Sequence, residues 1–112
     1  MKLSSFFEPA DKKELAGCLD RAHTDMSHPI WVIIYKKSAA HQPVGYNDVL
    51  EAAICFGLID TQSKTIDDQR YAICLRARTP GGNWTATNVE LAEKLIQQGR
   101  MKPAGLKAFK AR

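Results

Sequence analysis

The feature that most constrains the fold is a continuous apolar run of six residues, Ile30-Trp31-Val32-Ile33-Ile34-Tyr35. The run is rich in β-branched residues and has no polar alternation, which predicts a strand covered on both faces. Such a strand lies inside a sheet, so we expect a central strand over residues 30–36. The run is far too short to cross a bilayer, which needs about 20 apolar residues, so we expect no membrane insertion.

Helix signals flank this strand on both sides. Apolar residues recur at helical spacing in several segments, and capping residues or proline mark where each helix begins. The predicted helices are 11–24 with Asp11 as N-cap and Glu14 completing a capping box, 47–56 with Asn47 as N-cap, one from Thr87 to Gly99, and a short one from Pro103.

Two further segments, 61–66 and 70–76, are typical of strands joined by a turn at Asp67-Asp68. An Asp pair could also serve acid–base chemistry or a metal, but adjacent turn residues point in different directions. The predicted order is α-β-α-β-β-α-α, in an α+β fold. We expect a small, mainly antiparallel three-stranded sheet packed with about four helices on one or both faces. The 112 residues suit one domain, 1–112.

The net charge of +4 is unevenly distributed along the chain. Residues 1–68 carry 7 basic and 10 acidic side chains, whereas residues 69–112 carry 9 basic and 2 acidic ones. The basic half would steer an anionic partner, such as nucleic acid, an acidic protein face or a phosphate-bearing ligand. The alternative is a solvated basic surface with no partner.

The cysteines and histidines predict no metal site. Cys18, Cys55 and Cys74 form an odd set without CxxC spacing, and their apolar neighbours indicate buried structural thiols. The three histidines lack the spacing of metal ligands. No nucleotide-binding glycine motif is present, so we expect no cofactor. The first residues do not resemble a secretory signal, so we expect a cytoplasmic protein.

Several blocks of the chain, in order, resemble motifs of a known family. Residues 51–60, Glu-Ala-Ala-Ile-Cys-Phe-Gly-Leu-Ile-Asp, resemble the "EALCFGWID" motif of the YdeI/OmpD-associated family, labelled bacteriocin-protection proteins. Trp31 with Tyr35-Lys36-Lys37, Tyr46, 78–88 and 99–106 resemble further blocks, so the resemblance spans about 28–112. Leu58 and Gly82 depart from the family's Trp and Ser. The resemblance implies a role in resistance to bacteriocins or antimicrobial peptides, or association with a porin, and supplies no reaction.

The polar residues of these blocks fall where predicted helices and strands begin or end. Element ends converge at the edge of a small sheet, which is where ligand sites form. Arg78 can bind a carboxylate or phosphate with its planar guanidinium, and Trp84 offers a stacking face. The candidate ligand-binding residues are Lys36, Tyr46, Asp60, Arg78, Asn83, Trp84 and Asn88. The alternative is structural: Asp60 pairs with Arg78, Asn88 caps backbone, and Trp84 fixes the third helix to the core.

Three functions follow from these observations. The leading one is a non-enzymatic cytoplasmic binding domain resembling the YdeI/OmpD-associated family. The alternative is nucleic-acid binding through the basic C-terminal half. The third is an enzyme that uses the region of Asp60 and Arg78, although the sequence shows no activated nucleophile. A deep cavity around Arg78 and Trp84 would favour the enzyme, whereas a flat surface would remove its support.

Overall fold

The computed structural model describes residues 6–39, 42–82 and 84–112. They form four helices and four strands, which confirms the α+β class. In chain order the elements are β1 (Phe6–Phe7), α1 (Lys12–Ala22), β2 (Ile30–Tyr35), α2 (Tyr46–Cys55), β3 (Leu58–Thr65), β4 (Arg70–Ala77), α3 (Ala86–Gln97) and α4 (Pro103–Lys110).

The sheet has four strands rather than the three expected, in the order β1-β2-β4-β3. The three predicted strands form its antiparallel part, and β2 lies inside the sheet as its apolar run predicts. The additional strand, β1, runs parallel to β2 and aligns Phe6 with Trp31. Two residues are too few to show strand alternation, and the Phe6 ring is held by stacking on Trp31 at a centroid distance of 5.2 Å.

All four helices lie on one face of the sheet. Alternate residues of β2 and β4, including Val32, Ile34, Ile73 and Leu75, join the core cluster beneath the helices. Each helix contributes to that cluster or packs against it, with side chains that include Leu15, Leu19, Val49, Ala53, Ala92, Leu95 and Phe109. The intervening sheet residues, among them Ile33, Ala72 and Cys74, are buried but lie on the opposite face by register.

Two of the predicted helix starts are confirmed. Asp11 caps α1, with its Oδ1 accepting from the Glu14 N–H at 2.8 Å. Glu14 Oε1 accepts from the Ala10 N–H at 3.2 Å, one residue before the N–H that the predicted capping box requires. Pro103 begins α4, where its missing N–H costs nothing. No helix within the described residues is both long enough and apolar enough to cross a membrane.

The other two predicted starts are wrong by one or two residues. The N-cap of α2 is Gly45, whose N–H donates to Asp48 Oδ2 at 3.0 Å, so Asn47 lies within the helix. The N-cap of α3 is Thr85 rather than Thr87. Both threonines can accept a backbone N–H, and the earlier one lengthens the helix, whose hydrogen bonds favour each added residue.

Helix α4 docks unusually close to the C-terminal end of α2. A Cβ atom at Gly105 would lie 2.7 Å from the Ile54 carbonyl oxygen, and closer still to that of Cys55. The same Cys55 carbonyl accepts the Lys102 N–H at 3.1 Å. Gly57 ends α2 with φ of 74°, a left-handed conformation that favours glycine. This close contact places α4 beside the start of β3 and the end of β4.

Candidate ligand-binding site

Arg78 is held in place where β4 ends. Its backbone N–H donates to the Gly57 carbonyl at 3.0 Å, and its Nε–H donates to the Leu58 carbonyl at 3.2 Å. The guanidinium carbon lies 3.9 Å from the centroid of the Trp84 ring, in a cation–π contact. The side chain is half-buried, so its charge lies at a fixed place at the edge of the sheet.

Trp84 connects this edge to the last helix. Its ring meets Phe109 of α4 edge-on, with centroids 5.6 Å apart and planes at 76°. The same ring packs against the core cluster. Trp84 therefore has a structural role beneath Arg78, which is compatible with a ligand site above it.

Asp60 lies on β3 next to a third candidate residue. Its Oδ2 accepts the Tyr46 hydroxyl at 2.9 Å. Burial lowers the pKa of the Arg78 guanidinium, and the Asp60 carboxylate acts in the opposite direction. Burial and the Asp60 hydrogen bond both raise the pKa of the Tyr46 hydroxyl, which keeps it neutral. Four of the candidates are therefore neighbours in space, in the order Tyr46, Asp60, Arg78 and Trp84.

The remaining candidates take other positions. Lys36 follows β2 at the opposite end of the sheet, where its N–H donates to the Gln69 carbonyl at 2.8 Å. Asn88 lies in the first turn of α3, and its N–H donates to Thr85 Oγ1 at 3.1 Å. Asn83 lies outside the described residues. The expectation that all seven converge at one edge is therefore wrong for Lys36, because β2 and β4 are antiparallel.

A cavity of about 300 Å³ opens beside Arg78, and we name it the Arg78 cavity. Its apolar lining comes from the start of β3, the end of β4 and one face of α4. Its lining includes the basic side chains of His23, Arg78 and Lys107, and no carboxylate lines it among the residues that the structure describes. The lining includes His23, Phe56, Leu58, Arg78, Thr79, Pro80, Ala104, Lys107, Ala108 and Ala111. Trp84 is not part of it.

His23 and Lys107 are lining residues that the sequence did not single out. His23 Nδ1 lies 2.7 Å from the Asp20 carbonyl oxygen and 3.0 Å from that of Leu19. Since a carbonyl only accepts, Nδ1 carries the proton, and Nε2 is the nitrogen free to meet a ligand. The imidazole ring of His23 packs against the Phe56 ring, with the two ring centroids 5.0 Å apart. No local pattern connects His23 to Arg78, which lies 55 positions further along the chain.

A larger cavity, of about 360 Å³, lies between α1, α2 and the segment before α4. Four of the five charged side chains among its described lining residues form two ion pairs, and Lys102 is the fifth. Lys12 Nζ is 3.4 Å from Asp48 Oδ1, and Arg100 Nη1 is 2.9 Å from Glu51 Oε1. The Arg78 cavity has the stronger chemistry for a ligand, because its basic groups share one sign of charge.

A family model described as Domain of unknown function (DUF8412) matches residues 7–108, nearly the whole chain. The chain belongs to the DUF8412 family. No curated protein and no solved structure matches it. The matched range runs from β1 into α4, so it includes the docking of α4 on α2 and every lining residue of the Arg78 cavity except Ala111.

Proposed function

We propose that this DUF8412 chain is a small binding domain whose Arg78 cavity holds a ligand with an anionic group and an apolar body. The observation that carries the proposal is the joint lining of one largely apolar cavity by Arg78, His23 and Lys107. Ligand pockets commonly have volumes of about 300–1,000 Å³ and combine apolar walls with a few polar groups. A carboxylate or phosphate is the group that a guanidinium binds best.

The position of Arg78 strengthens this argument. Its stem and guanidinium are held by Leu58 and Trp84, so little conformational entropy is lost when a ligand binds. Partial burial reduces solvent screening of its charge, and an anion in the cavity would restore the solvation that burial removes. Lys107 is exposed at the rim and adds to the attraction at longer range.

The test compares hexanoate with hexan-1-ol, which has the same apolar body without the charge. Binding is followed by calorimetry on the wild type, on Arg78→Gln and on the control Arg76→Gln, which removes an exposed arginine two residues away. A charged hydrogen bond contributes about 1.5–3 kcal/mol. We therefore expect Arg78→Gln to weaken hexanoate binding by about tenfold or more, and Arg76→Gln to leave it unchanged. Equal binding of hexanol, or equal losses in the two variants, would contradict the proposal.

The biological setting that we propose is cytoplasmic binding in resistance to bacteriocins or antimicrobial peptides. Its support is the ordered set of motif blocks that resemble the YdeI/OmpD-associated family. We expect a bacterial strain lacking the chain to be more sensitive to such peptides. The wild-type chain should restore resistance, and Arg78→Gln should restore less. Equal sensitivity with and without the chain would refute this setting.

Nucleic-acid binding is the second candidate, favoured by the exposed cations of α4. Lys107 and Lys110 are three residues apart on this short helix, and Lys102 and Arg112 flank it. Binding to mixed DNA and RNA should appear at low salt and fall steeply as salt rises. Reversing the charges of Lys107 and Lys110 should abolish a gel shift, whereas reversing those of Lys12 and Lys13 should not. No shift at low salt would remove this candidate.

An enzyme acting at the same cavity is the third proposal. The cavity beside Arg78 supplies the concave surface that this reading requires, and His23 supplies a possible proton acceptor at Nε2. We would expect chemical turnover of a carboxylate that binds there, with loss of activity in His23→Gln. Binding without turnover across a panel of carboxylate esters and amides would leave only the binding function.

A further inference from the structure

A third cavity, of about 330 Å³, lies over β3 and β4, and we name it the tyrosine cavity. Two aromatic rings and one carboxylate give it its character. It is lined by Tyr46, Asp60, Thr61, Gln62, Ser63, Tyr71 and Ile73. Asp60 is the single charged side chain among these described lining residues, so the cavity has the opposite polarity to the Arg78 cavity.

The sheet register builds this cavity. Ser63 pairs with Ile73 and Thr65 with Tyr71. Tyr71 packs against the core cluster, so it lies on the same face of the sheet as α2. The register shifts between Asp60 and Gln62, which marks a bulge where the strand bends. Tyr46 begins α2 beside this strand, and its hydroxyl is fixed by the hydrogen bond to Asp60.

The electrostatics of the tyrosine cavity favour a cation. The faces of tyrosine rings carry negative potential, which attracts ammonium groups. The nearest lysine along β3, Lys64, pairs in register with Ala72 and therefore lies on the other face of the sheet. Arg78 interacts electrostatically with Asp60, but it lines the other cavity. Tyr46 keeps 40% of its surface exposed, although it is among the large apolar residues of the chain.

We propose that the tyrosine cavity binds a small organic cation, an alkylammonium group. Its methyl or methylene groups would contact the rings of Tyr46 and Tyr71, and the Asp60 carboxylate would neutralise its charge. The proposed cation site is distinct from the anion site beside Arg78, because the two cavities share no lining residue. A free amine or a lysine side chain could each supply this chemistry.

The test uses two probes of the same shape, choline and 3,3-dimethylbutan-1-ol, which differ in the charge of the central atom. Each is titrated into the isotope-labelled full chain at constant ionic strength, and amide chemical shifts are followed by NMR. We expect saturable millimolar binding of choline, with shifts centred on Asp60, Ser63 and Tyr71. The neutral alcohol should bind about tenfold more weakly, since cation–π attraction needs the charge. Acetyl-lysine methylamide, titrated separately, distinguishes a lysine side chain from a free amine.

Variants identify the groups responsible. Asp60→Asn should weaken choline binding at least about fivefold, because the charge pair is lost. Asp68→Asn removes an exposed carboxylate from the β3–β4 turn and should leave binding unchanged. Tyr46→Leu removes the aromatic ring and should weaken choline binding by about two- to fivefold, because the cation–π contact is lost. The NMR spectrum of each free variant shows whether it is folded.

Three results would overturn the inference. Equal affinity for choline and the alcohol would show that charge does not matter. Equal effects of Asp60→Asn and Asp68→Asn would show non-specific attraction. Absence of saturable choline binding by the folded wild type would show that no cation site exists.

Discussion

Gly105→Ala tests how α4 is attached to the rest of the molecule. A single methyl group added at this position would meet backbone atoms of α2, at 2.7 Å from the Ile54 carbonyl oxygen and 2.8 Å from the Cys55 carbonyl carbon. Backbone cannot turn aside as a side chain can, so α4 would have to move away from α2. That movement would strain the hydrogen bond from the Lys102 N–H to Cys55.

The expected magnitude follows from two opposing effects. Alanine is more favourable than glycine inside a helix by about 1 kcal/mol. Overpacking against a rigid neighbour costs about 1–3 kcal/mol, and occasionally more. Because the neighbour is backbone, we expect the upper part of that range and a net destabilisation of about 1–2 kcal/mol.

The matched control is Gly17→Ala, the same change inside α1. There the nearest atom to a new Cβ is Arg21 Nη1 at 3.4 Å, the far end of a flexible side chain. This variant should gain up to about 1 kcal/mol. Urea unfolding of both variants, with equal slopes, should therefore separate them by about 1–3 kcal/mol. Thermal unfolding should separate them by roughly 4 °C for each kcal/mol.

A Gly105→Ala variant as stable as Gly17→Ala would refute the close approach of α4 to α2. A variant that is destabilised but binds hexanoate as the wild type does would refute the link between this contact and the Arg78 cavity, since Ala104, Lys107 and Ala108 line that cavity.

Three further outcomes are expected. Cys18 is half-buried, and burial raises the pKa of its thiol. It should therefore react with a thiol reagent before the two buried cysteines but more slowly than free cysteine. Fast labelling of a buried cysteine would contradict this prediction. A double-mutant cycle of Asp60→Asn and Arg78→Gln should give a coupling energy below about 1 kcal/mol, because Asp60 is held by Tyr46 and Arg78 by the Leu58 carbonyl. A coupling energy of about 3 kcal/mol or more would show a buried ion pair. Backbone N–H groups and Arg70 lower the pKa of Asp67 below 3.8. The stability advantage over Asp67→Asn should thus be complete at neutral pH and lost as pH falls through that lowered value, and a pH-independent difference in urea unfolding would contradict it.

Local signals predicted most of the fold. The apolar run of β2, the turn at Asp67-Asp68, the cap at Asp11 and the helix start at Pro103 each act over a few residues, so sequence alone could indicate them. The strand at Phe6–Phe7 could not be predicted in this way, because only its pairing with a distant segment makes it a strand. The cap of α3 was predicted at Thr87 instead of Thr85 because both threonines can accept a backbone N–H.

The candidate site was only partly predictable. Element ends and motif resemblance pointed to Arg78 and Trp84, which do meet. The prediction for Lys36 was wrong because the end of a strand can lie at either edge of the sheet until the strand pairing is known. His23 was missed because it joins the cavity through the packing of α1 against Phe56. Gly105 is required by the close contact between α4 and α2, which the sequence alone could not show.

Under the proposed function, the alanines of α4 give the domain a simple means of changing what it binds. Ala104, Ala108 and Ala111 follow one another at intervals of four and three residues, so they form one stripe along the wall of the Arg78 cavity. Each methyl group marks the limit of the space left for a ligand. A relative with valine or leucine at one of these positions would keep the same sheet and the same arginine but accept a shorter apolar body. Ligand length in this family would then diverge through one helix face, while the charge recognised stays the same.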